Sequence, residues 1–215
     1  MTGDMAIIEE LYQAILTGDN KGAMAITQRG LDEGTDLQAL IDGGMIPAMA
    51  EVGRRFEEEE YFVPELLLAA RAMKAALGIL RPLLSESGAE PVGRVVVGTV
   101  QGDLHDIGKN LVAAMLEGAG FDIVDLGADV SPTQFVEAVR DSGAGLVGLS
   151  ALLTVTMPSM KTTVEELEKA GLRDQVKVMV GGAPLSSDYA KEIGADAYAD
   201  NASAAVRTAR QLIGV

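Results

Sequence analysis

Apolar positions in the first third of the chain recur every three or four places, the spacing of one helix face. Ile7, Ile8, Leu11 and Ile15 predict a first helix over 4–16, which Gly18-Asp19-Asn20 breaks. A second is predicted over 23–31, stopped by Gly34. Asp36 is placed to cap a third, containing Leu37, Leu40, Ile41, Ile46, Met49, Val52 and Phe56, in which Gly43-Gly44 and Pro47 invite a kink or break. Pro64 suits the first turn of a fourth, through Leu66, Leu67, Ala70, Met73 and Leu77 towards Leu84. Four helices with short connections predict an all-α four-helix bundle.

The period changes after 85–93, a stretch of Ser, Gly, Glu and Pro that reads as a linker. Runs rich in Val and Ile follow at 94–100, 121–126, 145–149 and 176–180, and weakly at 195–199. Between and after them lie helical patterns at 107–119, 131–141, 157–170, 186–193 and 202–213. Apolar strands alternating with helices predict an α/β fold, a doubly wound parallel sheet covered on both faces. Five strands fit the flavodoxin-like order 2-1-3-4-5 better than the six-stranded dinucleotide fold. Two domains are therefore expected, 1–88 helical and 92–215 α/β. Ligands of such sheets sit beyond the carboxyl ends of the strands, which directs attention to the loops after strands one, three and four.

Charge narrows the partners. A formal net charge of -15 repels phosphate backbones and anionic bilayers, so neither nucleic acid nor membrane is an expected partner. No apolar run approaches the roughly 18 residues a membrane helix needs. The start, Met1-Thr2-Gly3-Asp4, lacks the basic flank of a secretory signal, so a cytoplasmic location is expected. The chain has no cysteine and one histidine, so any imidazole chemistry falls to His105.

That histidine lies in the loop after strand one, Gly102-Asp103-Leu104-His105-Asp106-Ile107-Gly108-Lys109-Asn110. A phosphate-binding P-loop fails here: the gap between glycines is one residue too long, Asn110 stands where a hydroxyl should bind Mg, and two aspartates would face phosphate. Two readings stay open on the residues alone. His105 is a surface histidine beside an aspartate, or Asp103 accepts its Nδ1 proton and presents Nε2 to a metal. One imidazole does not hold a free ion, and Asp103 with Asp106 makes a poor zinc site; a metal filled elsewhere by a macrocycle needs no more.

Asp103-x-His105-x-x-Gly108, then Ser150-x-Leu152, then Gly181-Gly182, resembles the signature of cobalamin-binding domains of the methionine synthase type, one piece on each of the three loops. Phe62-Val63-Pro64-Glu65-Leu66 and Ala70-Arg71-Ala72-Met73 resemble the helical cap that precedes such domains. Nearly the whole chain is covered, and it is most similar to the stand-alone corrinoid proteins of three-component methyltransferase systems.

The resemblance implies a cobalamin or related corrinoid bound with its own base displaced and with His105 as the lower axial ligand of cobalt, oriented by Asp103. Gly102, Leu104, Asp106 and Gly108 then lie against the cofactor. Ser150, Leu152, Thr154, Gly181, Gly182 and Ala202 line the cleft for its nucleotide tail. Thr156 takes the place of a serine in a proton relay to the axial histidine. Phe56, Phe62 and Val63 correspond to the cap that shields the ring's upper face, with 85–93 as hinge. The implied function is a methyl carrier cycling between Co(I) and methyl-Co(III), not turning over substrate alone. Its implied partners are a substrate-specific methyltransferase, a second methyltransferase with a folate or thiol acceptor, and a reductive activase. The alternatives are cobalamin storage, delivery or sensing without methyl transfer. Mutases of this fold need a barrel, and light-sensing repressors a basic DNA-binding domain.

Overall fold

A computed structural model describes residues 2–87 and 91–215; the middle of the expected linker, 88–90, lies outside the described residues. The chain divides into two compact units, Met1–Glu90 with Glu117–Gly120, and Pro91–Leu116 with Phe121–Val215.

The first unit is helical: α1 (Thr2–Leu16), α2 (Asn20–Asp32), α3 (Leu37–Ala39), a π-helical turn (Leu40–Met45), α4 (Ile46–Glu57) and α5 (Val63–Ser87). Helix α2 begins three residues before the pattern predicted, because the Asp19 carboxylate accepts from Gly22 N–H at 2.9 Å and caps a polar first turn that has no apolar signal. Asp36 caps α3 through Ala39 N–H. At Gly43-Gly44 and Pro47, where a kink or break is expected, a π-helical turn interrupts the α-helix without ending it. In the wide turn Leu40–Met45 the last N–H bonds from Ile46 to Ile41 O, and Pro47, which has no N–H to donate, follows as the second residue of α4. Leu11, Ile15, Leu40, Met45, Met49, Leu66, Met73 and Leu80 are buried, each contributing roughly 2 kcal/mol of transfer free energy.

The second unit is a parallel sheet of β1 (Arg94–Thr99), β2 (Asp122–Asp125), β3 (Leu146–Ser150), β4 (Lys177–Gly181) and β5 (Ala197–Ala199) in the order β2-β1-β3-β4-β5. Its helices are α6 (Ile107–Gly118), α7 (Pro132–Ser142), α8 (Pro158–Lys169), α9 (Ser187–Glu192) and α10 (Ala202–Ile213). This is the doubly wound fold expected. Val96, Val147, Val178 and Val180 pack with Phe135, Met160 and Leu167 in one core. Strand register aligns Thr99, Ser150, Gly181 and Ala199 in a row, so the loops after β1, β3, β4 and β5 leave from one edge. The order reverses between β1 and β3, and their outgoing loops diverge to opposite faces there.

Candidate functional site

One carboxylate ties the two loops at that reversal together. Asp103 is fully buried. Its Oδ1 accepts from His105 N–H at 3.0 Å and meets His105 Nδ1 at 2.8 Å. Its Oδ2 accepts from Leu152 N–H at 2.7 Å, Leu153 N–H at 3.2 Å and the Thr156 hydroxyl at 2.8 Å. Burial opposes the charge, but the backbone donors His105 and Leu152, the Thr156 hydroxyl and the His105 ring together outweigh it and hold this carboxyl well below the usual carboxylate range. Asp103 is thus ionised and only accepts, so Nδ1 carries the ring proton. The neutral ring's lone pair is then on Nε2, and the side chain is 51% exposed.

Five large apolar side chains are exposed in these two loops and at the first position of α6: Leu104, Ile107, Leu152, Leu153 and Val155. Elsewhere among the described residues of this unit, only Val215 is a large exposed hydrophobic. Single exposed hydrophobics are ordinary, whereas several within two loops joined by one carboxylate suit a binding surface. Among the described residues no three His, Asp or Glu side chains gather to hold a free metal ion.

The other expected site residues fall as follows. Thr154 is exposed, and Ser150 is half-buried at the end of β3 beside Gly181, the end of β4. Gly182 has φ 140°, and a Cβ there would stand 1.9 Å from Ala151 O, so the fold itself requires this glycine. A Cβ on Gly108 would meet nothing within 4 Å, although glycine weakens the first turn of α6. Asp106 accepts from the Asn110 side chain within that turn. Gly102 is exposed, with φ 86°. Ala202 is buried at the start of α10, after β5. Phe56, Phe62 and Val63 belong to the helical unit, where Phe62 and Val63 are exposed rather than core.

Three partners escaped the sequence. Leu153 supplies a second backbone donor to Asp103, the Thr99 hydroxyl donates to His105 O at 3.1 Å, and Asp129 holds the start of the loop. Lys109, suggestive of phosphate binding in the sequence, is buried and ion-paired with Asp125 at the end of β2.

Residues 93–207 match one B12 binding domain family, and residues 7–81 match another of the same description. A corrinoid protein of Desulfitobacterium hafniense (strain Y51) is 41% identical over 98% of this chain and 99% of its own. Dimethylamine corrinoid protein 1 of Methanosarcina acetivorans is 42% identical over 96% of this chain and 97% of its own. The crystal structure of the methanol:cobalamin methyltransferase complex MtaBC from Methanosarcina barkeri holds a chain with TM-score 0.86 and 29% identity, covering 97% of this chain and 80% of that one. A cobalamin-binding protein from Desulfitobacterium hafniense DCB-2 superposes with TM-score 0.78 and 33% identity over 95% of this chain and 98% of that one. With both units matched and the relatives aligned almost end to end, this chain belongs to the B12-binding family, among the corrinoid proteins of methyltransferase systems.

Proposed function

We propose that this chain is a corrinoid methyl carrier in which His105 Nε2 is the lower axial ligand of the cobalt. One observation carries the reading: a buried Asp103 carboxylate accepts the hydrogen bond from Nδ1–H of the chain's single histidine, whose side chain stays half exposed. The donor set suits a metal whose remaining positions a macrocycle fills, since one imidazole is offered and, among the described residues, no three His, Asp or Glu side chains gather. Leu104, Ile107, Leu152, Leu153 and Val155 would receive the largely apolar ring. Gly108 fits the same reading, because the protein gives no steric reason for its missing side chain and a closely approaching ligand does. Ser150, Thr154, Gly181, Gly182 and Ala202 would line the nucleotide tail's path beyond the strand ends.

A bound corrinoid supplies the cobalt that accepts a methyl group and gives it up. The protein's part is to hold the ligand. Asp103 selects the Nδ1–H tautomer, Thr156 and the Leu152 and Leu153 amides fix Asp103, and together they set where Nε2 stands. The partners are a methyltransferase that loads the methyl from a small substrate, a second that unloads it to a folate or thiol, and an activase that restores the reduced cofactor. A cytoplasmic setting follows for such a cycle, and no helix among the described residues is long and apolar enough to cross a membrane.

The test is reconstitution with cobalamin. The protein is expected to bind it one to one with a histidine-ligated cobalt spectrum, which His105→Ala loses. An unchanged spectrum in that variant overturns the ligand assignment. Labelled methyl is expected to move onto the loaded protein from one methyltransferase and off it to another; a loaded protein that no such enzyme methylates is a store, not a carrier.

A further inference from the structure

The first residues of the histidine loop are held from within by Asp103 N–H donating to Val100 O at 3.1 Å, and from outside by the loop after β2, which the strand-end rule did not single out. There Asp129 accepts from Gly102 N–H through Oδ1 at 2.7 Å. Its own N–H donates to Asp103 O at 3.0 Å. One residue thus grips both sides of the peptide joining Gly102 and Asp103. To do so Asp129 adopts φ 56°, in the left-handed region that most side chains avoid and that aspartate and asparagine tolerate.

Asp129 is itself carried on paired backbone. Thr99 N–H donates to Gly127 O at 2.9 Å, Val130 N–H donates to Thr99 O at 3.0 Å, and Val100 and Val130 form a parallel bridge. The loop after β2 is therefore an extension of the sheet edge beside β1. Lys109, in the first turn of α6, is tied to the same wall by its ion pair with Asp125. Between these two anchors stand Asp103 and His105.

We propose that Asp129 is a positioning residue for His105: by bonding the backbone on both sides of the Gly102–Asp103 peptide, it fixes the carboxylate that selects the imidazole tautomer and so sets where Nε2 stands. Asp103 is rigid only if its backbone is. Its carboxylate meets five donors on two loops, and a small rotation about its Cα would break the short contacts to Nδ1 and to Leu152 N–H. The consequence for cofactor ligation rests on the reading of His105 given above. The positional claim does not, because it holds for the cofactor-free protein.

Two substitutions separate the carboxylate from the backbone angle. Asp129→Gly keeps the left-handed conformation and removes the acceptor; Asp129→Asn keeps both the conformation and a carbonyl acceptor. The chain has one histidine, so nitrogen-15 labelling gives the two ring-nitrogen signals of a single imidazole in the full-length protein without cofactor. The parent is expected to show the Nδ1–H form and a Gly102 amide protected from exchange although the residue is exposed. In Asp129→Gly, Gly102 protection is expected to fall roughly tenfold to a hundredfold, as for loss of a hydrogen bond to a charged group. The imidazole should become a mixture of tautomers, and cobalamin bound to this variant should show a smaller histidine-ligated fraction. Asp129→Asn should restore all three.

A glycine variant matching the parent in amide exchange and tautomer overturns the proposal. So does an unprotected Gly102 amide in the parent, a measurement that stands whether or not the glycine variant folds. If His105→Ala leaves the cobalt spectrum unchanged, the ligand assignment fails alone, and the imidazole and amide measurements still decide the role of Asp129.

Discussion

Asp103→Asn removes one charge and changes almost no volume, yet it should reverse the chemistry of His105. Both carboxylate oxygens are in use as acceptors, Oδ1 towards His105 N–H and Nδ1, and Oδ2 towards Leu152 N–H, Leu153 N–H and the Thr156 hydroxyl. An asparagine has one acceptor and one donor group, so either orientation sets its NH2 against backbone N–H groups. Facing the amide carbonyl to Leu152 and Leu153 opposes one backbone donor, His105 N–H; the other orientation opposes two. In the first case the NH2 points at Nδ1, and the ring satisfies it by accepting there and moving its proton to Nε2. The exposed nitrogen then has no lone pair for a metal.

Stranding one backbone N–H costs about 1–3 kcal/mol. Exchanging charge-assisted for neutral bonds at Leu152, Leu153 and Thr156 adds about 1 kcal/mol. A total of roughly 2–4 kcal/mol corresponds to a urea midpoint lower by about 1–2 M for the α/β unit. The sign with pH follows from the direction of the Asp103 shift. Its folded value is depressed, so its stabilisation is complete above the unfolded value near 4 and is lost as pH falls through the folded value. The gap between parent and variant is therefore widest at neutral pH and closes below about pH 4. Nitrogen NMR of the one imidazole reads the tautomer directly. A variant with the parent's Nδ1–H signal and the parent's urea midpoint at pH 7 would refute this account.

Other substitutions test the remaining geometry. Gly108→Ala should raise the cofactor-free protein's stability by about 0.5–1 kcal/mol through helix propensity, while cobalamin affinity falls; unchanged affinity by titration would show that no ligand approaches there. Gly182→Val should not fold, because its Cβ would stand 1.9 Å from Ala151 O in a conformation a branched residue rarely adopts; a soluble variant with normal thermal unfolding would contradict this.

Much of the site was legible because its parts are local in sequence or implied by strand order. Asp103 and His105 are two residues apart, so their contact was readable from spacing, and the period change after 85–93 separated helices from sheet. The reversal between β1 and β3 placed Ser150, Leu152 and Thr156 near them once the order was known. What escaped has no periodic signal. The π-helical turn Leu40–Met45 hides inside a pattern that reads equally as a broken helix. Leu153 acts through its amide, which every residue type except proline possesses. The resemblance implies a cleft role for Gly182, whereas its steric need depends on Ala151 O, thirty-one positions away in sequence and adjacent only in the fold.

Asp129 shows where strand-end reasoning is incomplete. The rule that ligands sit at the reversal of strand order selects the loops after β1 and β3 and leaves out the loop after β2. In this sheet β2 is the other neighbour of β1, so its outgoing loop runs beside the histidine loop and can brace it from behind. The signal was present in Gly127-Ala128-Asp129, a turn ending in a residue type that tolerates left-handed backbone and offers a short-range acceptor. The division of labour is physical. The loop after β3 supplies donors that keep the Asp103 carboxylate charged, the loop after β2 fixes the backbone that bears it, and His105 is left with one ring nitrogen committed and the other free. An exposed imidazole gains precision from that arrangement, because its position depends on buried atoms rather than on its own packing.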